Sequence, residues 1–181
     1  FNLSVGVAYA FEEEHEAHEH GHATLMLVQD KDELQLVFKS PAMNIVGFEH
    51  QPSTPEQHDK VDWAEKSLSE ANRLFLINQQ AQCVLEHAHI TSSLIEASGH
   101  DDEHASHAED EHQNHSDDSK GSHSEFEAEY HFECKNISAL TLIKLDLFDA
   151  FSSIEEIEAH IITSSGQQLL ELEPDNVSIT F

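Results

Sequence analysis

Apolar and polar residues alternate along most of this chain, and a period of two predicts strands more often than helices. Residues 23–29 and 33–39 alternate on either side of the polar segment 30–32, which is typical of a β-hairpin. Residues 82–90 are another predicted strand, and so are residues 125–135, where aromatic or small residues occupy every second position. These four segments are therefore predicted to form most of a sheet.

The last third of the chain adds strands in hairpin order. Residues 141–148 are one, residues 157–163 and 167–173 flank a turn at 164–166, and residues 177–181 close the chain. Strands joined by short turns usually pair antiparallel. With one helix among them, the sequence predicts an α+β fold of mostly antiparallel β-sheet, with which a sandwich-like packing of two sheets is compatible.

One substantial helix is predicted after residue 54. Thr54 is placed as its N-cap, Pro55 at its first position and Gln57 as the partner in a capping box. Apolar residues then recur at intervals of three and four on one helical face. They are Val61, Ala64, Leu68, Ala71 and Phe75. We therefore expect one continuous helix that runs to about Phe75.

The two cysteines, Cys83 and Cys134, could form a disulfide, remain as buried thiols or bind a metal. If their strands pair antiparallel with Cys83 opposite Cys134, His87 faces Tyr130, which is a sensible register. Residues 99–124 then form the long tip of a hairpin closed at its base by a disulfide. Their composition is typical of a disordered loop, since almost no apolar residue offsets the entropy of ordering.

The length of 181 residues fits a single domain with a core of its own. Residues 1–10 are apolar and end in the small-x-small pattern Ala8-Tyr9-Ala10, as a signal peptide does before its cleavage site. We therefore expect a signal-peptide remnant at 1–10 and one domain at 11–181, which includes the predicted loop at 99–124. Export implies an oxidising compartment, where a disulfide is expected, and no stretch is long enough for a membrane-spanning helix.

The formal net charge of −28 arises from 36 acidic against 8 basic residues. Nucleic acid and anionic membrane surfaces need positive charge in their partners, so both are excluded as natural partners. A strongly negative surface instead raises the local concentration of divalent cations. Acidity alone could serve only solubility, but here it is interleaved with histidine.

Ten of the sixteen histidines lie in two acidic tracts, residues 12–22 and 100–123. Imidazole is a common ligand of zinc, and carboxylates add oxygen donors. Both tracts are therefore predicted to bind metal, Zn²⁺ above all, with Ni²⁺, Cu²⁺ or Co²⁺ as further candidates. The alternative is that both are solvated acidic runs without a metal. The candidate ligands are His15, His18, His20, His22, His100, His104, His107, His112, His115 and His123.

The two tracts differ in the kind of site they predict. His18, His20 and His22 alternate, so in an extended chain leading into the first strand they would point the same way and hold zinc, with His15 or a glutamate as fourth ligand. Residues 100–123 instead predict several weaker, interchangeable sites, because each site must order the loop as it binds. Neutral imidazole is the ligand, so affinity should fall below about pH 6.5.

Outside the tracts, His131 lies among glutamates on the polar face of its strand and could bind a metal with Glu129 or Glu133. In the register proposed above, His87 and His89 point to the opposite face. A lone strand histidine is also often simply exposed. No HExxH, GxSxG or glycine-rich phosphate loop is present, so we do not expect an enzyme.

Several segments together resemble the ZrgA family of zinc-regulated periplasmic proteins. They are "HEAHEHGHA", "SPAMNIVGFEH", "HSEFEAEYHFEC" and "FSSIEEIEAHIITSSGQ", with the two cysteines bracketing the His/Asp/Glu-rich insert. The resemblance extends from Glu13 onward. It implies a Gram-negative periplasmic protein, expressed under zinc limitation, that serves zinc acquisition alongside an ABC-type importer. It also implies that the histidines of the insert and of "HEAHEHGH" bind zinc.

Two functions remain open at this point. In the first, the protein captures Zn²⁺ and assists its delivery to an ABC-type importer or to the solute-binding component of that importer. In the second, it is a passive divalent-metal buffer without a transport partner. Induction by zinc starvation would support the first, and induction by metal excess the second.

Overall fold

The computed structural model describes residues 19–98 and 124–181. The expected signal-peptide remnant and all but the last residue of the predicted loop at 99–124 lie outside them. In chain order the strands are β1 (His22–Asp30), β2 (Glu33–Pro41), β3 (Phe75–Ile77), β4 (Cys83–Thr91), β5 (Glu125–Cys134), β6 (Leu142–Leu145), β7 (Glu156–Thr163), β8 (Gly166–Leu172) and β9 (Ser178–Thr180). The helices are α1 (Ala42–Val46), α2 (Pro55–Ser69), α3 (Ala71–Leu74), α4 (Ser93–Ser98) and α5 (Leu147–Ala150). The predicted α+β class is confirmed.

A six-stranded sheet in the order β4-β5-β2-β1-β7-β8 is the main layer. Its strands pair antiparallel except β1 with β7, which are parallel. The strict alternation of the sequence gives this sheet one apolar face, which includes Leu25, Phe38, Tyr130 and Ala159. We call the other side the open face; it carries the intervening residues, among them His22, Lys39, Glu129, His131, Glu158 and His160.

Helix α2 and a three-stranded sheet, β3-β6-β9, cover the apolar face. The Tyr130 hydroxyl donates a hydrogen bond to the carbonyl of Leu68 in α2 at 2.7 Å. The ring of Phe75 in β3 meets the Tyr130 ring edge to face, with centroids 5.1 Å apart. Burial among these groups raises the pKa of Tyr130. Tyr130 thus joins all three layers of the core.

The predicted helix is correct at its start and wrong at its end. Thr54 caps it, with its hydroxyl oxygen accepting from the Gln57 N–H at 3.3 Å. The helix ends at Ser69, and Phe75 begins β3 opposite Leu145. Phe75 is buried in either arrangement, so its apolar spacing could not distinguish a helix from a short strand.

None of the described helices is both long and apolar enough to cross a membrane.

Cys83 and Cys134 form the expected disulfide, with an S–S distance of 1.99 Å, and lie opposite each other in β4 and β5. The predicted register is correct as far as Leu85, which lies opposite Phe132, and wrong beyond it. A β-bulge between Leu85 and His87 brings His87 opposite His131, where we expected Tyr130. Without the bulge, His87 would face the core beside Tyr130. The extra residue places Ala88 there and leaves the imidazole in solvent, which avoids burying a polar ring.

Candidate metal centre

A tight turn leads the chain into β1 at Gly21. The His22 N–H donates to the Glu19 carbonyl at 3.2 Å, and Gly21 has a φ of +89°, in the left-handed region. The Gly21 carbonyl accepts from the backbone N–H groups of Glu155 and Glu156 at 2.7 and 3.1 Å. A Cβ on Gly21 would lie 3.3 Å from the side chain of Glu155. Both the backbone angle and the space therefore favour glycine.

Asn44 in α1 holds this turn from inside the protein, where it is only 3 % exposed. Its side-chain oxygen accepts from the Gly21 N–H at 2.8 Å, and its Nδ2 donates to the His22 carbonyl at 2.9 Å. A third bond joins Nδ2 to the Ser40 hydroxyl oxygen at 3.1 Å. One buried amide thus fixes the backbone on both sides of Gly21.

The turn separates two histidines of the first tract. His20 Nε2 lies 3.4 Å from Glu49 Oε1, and His22 Nδ1 lies 3.5 Å from Glu156 Oε1. The condition under which His18, His20 and His22 would point the same way, an extended chain, is not met at His20, because a turn lies at residues 20–21 and the strand begins only at His22. His18, like His15, lies outside the described residues.

The residue that follows the second tract and the start of the helix that precedes it both contact the same loop, residues 47–51, which we call the junction loop. Ser124, directly after the tract, donates its hydroxyl to the Glu49 carbonyl at 2.8 Å. Ser93, at the start of α4 before the tract, donates its hydroxyl to Ser124 Oγ at 3.1 Å and accepts at its carbonyl from Gln51 Nε2 at 3.3 Å. Because His20 also lies against Glu49, the end of the first tract and the residue after the second tract meet the fold at the junction loop.

Two histidine–carboxylate pairs therefore flank the Gly21 turn. Imidazole nitrogen with carboxylate oxygen is a donor set that zinc accepts. In the described parts of the chain no three His, Cys, Asp or Glu side chains are gathered closely enough to hold a metal ion on their own. A zinc ion at either pair would thus take two ligands from the described residues and would need further donors.

The remaining predicted ligands are dispersed. His131 Nε2 lies 3.6 Å from Glu33 Oε2, although the sequence suggested Glu129 or Glu133 as its partner. His160, which was not predicted as a ligand, is hydrogen-bonded through Nε2 to Glu158 Oε1 at 2.6 Å. The six histidines predicted in the second tract lie outside the described residues. They are His100, His104, His107, His112, His115 and His123.

Glu156 and Asn44 are site residues that the sequence alone did not reveal. Glu156 reaches His22 only because β1 and β7 pair parallel, across more than a hundred residues of chain. Asn44 lies in a short helix where nothing in the local pattern marks a buried amide. The sequence indicated Glu49 only weakly as a metal ligand, because His50 follows it directly after the apolar run "NIVGF".

Comparison with known proteins agrees with this picture. No curated protein matches the chain. A family model described as "ZrgA family zinc uptake protein" matches residues 17–181. The match includes the junction loop, the disulfide pair and the insert between the two cysteines. Since it covers most of the sequence, the chain belongs to the ZrgA family of zinc uptake proteins.

Proposed function

We propose that the protein captures Zn²⁺ in the periplasm and delivers it to an ABC-type zinc importer, through the solute-binding component of that importer. The observation that carries this proposal is that both histidine-rich tracts meet the fold at the junction loop. His20 lies 3.4 Å from a Glu49 carboxylate oxygen, while Ser124 donates to the carbonyl of the same residue. The Cys83–Cys134 disulfide supports an oxidising compartment.

The physical basis of capture is electrostatic and then chemical. A net charge of −28 concentrates divalent cations near the protein. Histidines of the 100–123 tract bind them weakly, because each site must order its segment. Attachment of that tract beside His20 and His22 gives the collected ions a high effective concentration at the two histidine–carboxylate pairs. The tract gathers zinc, and the pairs with their added donors retain it.

Delivery requires that zinc leave by ligand exchange, and no catalytic step is part of the proposal. Sites built from several exchangeable imidazole and carboxylate ligands can pass an ion to an acceptor one ligand at a time. Protonation of imidazole removes a ligand, so retention weakens as the pH falls below about 6.5. The protein is thus a binding protein in which the reaction is transfer of the metal itself.

Transfer kinetics test the proposal. The zinc-loaded protein is mixed with the metal-free solute-binding component, and the rate at which zinc moves is measured at several acceptor concentrations. Delivery predicts a rate that rises with acceptor concentration and exceeds the rate of spontaneous zinc release into a small chelator. A rate equal to spontaneous release and independent of the acceptor would contradict delivery and would leave passive buffering as the function.

A further inference from the structure

The bulge in β4 creates a second group of histidines, away from the Gly21 turn. Because of it, His87 lies opposite His131, and His89 lies opposite Glu129. Directly opposed residues share one face of a sheet, with Cβ atoms about 4.5–5.5 Å apart. Three imidazoles and one carboxylate therefore occupy the corners of a small rectangle on the open face.

The imidazole rings of His87 and His89 lie slightly farther apart than two rings bound to one metal ion. The rings of His87 and His89 are nearly parallel, at 17°, with centroids 6.2 Å apart. Two imidazoles on one tetrahedral zinc, with Zn–N bonds of about 2.0–2.1 Å, place their ring centres about 5 Å apart. The observed separation agrees with the absence of a ready cluster of three ligands among the described residues. Both side chains are exposed and can close the difference by rotation.

His131 is prepared for ligation by its other neighbour. Its Nε2 atom is buried and has no hydrogen-bond partner among the described residues, while Glu33 Oε2 lies 3.6 Å away. A histidine that binds a metal through one ring nitrogen usually donates the other N–H to a carboxylate, which fixes the tautomer. Glu33 Oε2 lies just beyond hydrogen-bond distance of Nε2, so a small side-chain movement would bring it into this position and leave Nδ1 as the ligand atom.

The surrounding charges favour a cation at this position. Glu127 forms an ion pair with Lys39, and this hydrogen bond raises the pKa of Lys39, so the lysine charge is balanced. Within residues 19–98 and 124–181, Glu129 and Glu133 of the same strand form no ion pair with a lysine or arginine. The open face around His131 is therefore negative, as a Zn²⁺ site requires.

We propose that His87, His89, His131 and Glu129 form an ordered zinc site on the open face, with Glu33 orienting His131. The choice of zinc rests on the proposed function; the position and the ligands rest on the strand register alone. Three histidines with a carboxylate form a ligand set that suits tetrahedral zinc. This site differs from the pairs at the Gly21 turn because β4 and β5 supply every ligand.

The test counts zinc ions that the full-length protein retains against a competing chelator. His87→Gln and His131→Gln should each lower the number of tightly held ions by one, and the double variant should also lower it by only one. This non-additivity is expected because both residues hold the same ion. His160→Gln is the matched control, since it changes an exposed histidine on the same face and should leave the number unchanged.

Two results would overturn the proposed site. One is an unchanged zinc count in both single variants, and the other is a loss of two ions in the double variant, which would mean separate ions. Glu129→Gln provides a second check and should weaken the affinity for this ion about tenfold. These counts do not depend on the acceptor protein, so failure of the site and failure of delivery are distinguishable.

Discussion

Replacement of Asn44 by alanine tests how the fold supports the Gly21 turn. Asn44→Ala removes three hydrogen bonds, to Gly21 N–H, to the His22 carbonyl and to the Ser40 hydroxyl. Gly21 is buried, so its N–H loses its partner without gaining water. A buried donor left unsatisfied costs about 1–3 kcal/mol, and the other lost bonds raise the expected total to about 2–4 kcal/mol.

Urea unfolding followed by circular dichroism measures the loss of stability, and a competitive zinc titration on the same sample measures binding. We expect the zinc ion proposed to bind at the Gly21 turn to bind at least tenfold more weakly, because His20 and His22 lose their fixed spacing. Asn78→Ala is the matched control. Asn78 also makes several hydrogen bonds, including those with Ala139 and Thr141, but it serves the three-stranded sheet.

The comparison of the two variants decides the outcome. Asn78→Ala should destabilise the protein to a similar degree and leave zinc affinity unchanged. If both variants weaken zinc binding equally, the effect is a general consequence of lower stability, and the role assigned to Asn44 is refuted. An Asn44→Ala protein with normal stability and normal zinc affinity would refute it as well.

Three further predictions concern stability. Cys83→Ser with Cys134→Ser should lower the free energy of unfolding by about 4 kcal/mol in the chain-entropy model, given the separation of 51 residues, and urea unfolding with and without reductant checks this. Burial raises the pKa of Tyr130, so the folded protein keeps the phenol proton at a pH where the unfolded chain has lost it. The resulting contribution of Tyr130 to the free energy of unfolding is fully present below pH 10 and falls as the pH rises above it, by up to about 1.4 kcal/mol per pH unit. Tyrosinate absorbance of the Tyr9→Phe variant follows Tyr130 alone; ionisation near pH 10 in the folded protein would contradict its burial. Gly21→Ala should cost more than the roughly 1–2 kcal/mol of backbone strain expected for Gly47→Ala, whose added Cβ has open space, so equal losses would contradict close packing at Gly21.

Local patterns were enough to predict most strands and the disulfide. The β1–β2 hairpin follows from alternation around residues 30–32, and the opposition of Cys83 and Cys134 follows from two alternating strands. In both cases the information lies within a few residues or in a simple period. The packing of these strands agrees with the faces that the alternation of apolar and polar residues predicts.

Long-range and irregular features were not predictable in this way. The bulge after Leu85 breaks the period of two, so counting from the cysteines placed His87 on the wrong face. The parallel pairing of β1 with β7 brings Glu156 to His22 without any local signal. The turn at Gly21 likewise depends on hydrogen bonds with Asn44 and Glu155, and no sequence pattern near Gly21 predicts these partners.

The central claim is that zinc is held where the first tract meets the fold and is only gathered by the 100–123 tract. Competitive zinc titration of two matched double variants tests it most directly: His20→Gln with His22→Gln, and His104→Gln with His107→Gln. We predict that the first pair abolishes one tightly held zinc ion or weakens it at least tenfold, while the second pair removes only weak binding. Equal effects of the two pairs, or loss of all tight binding from the second pair alone, would contradict the claim.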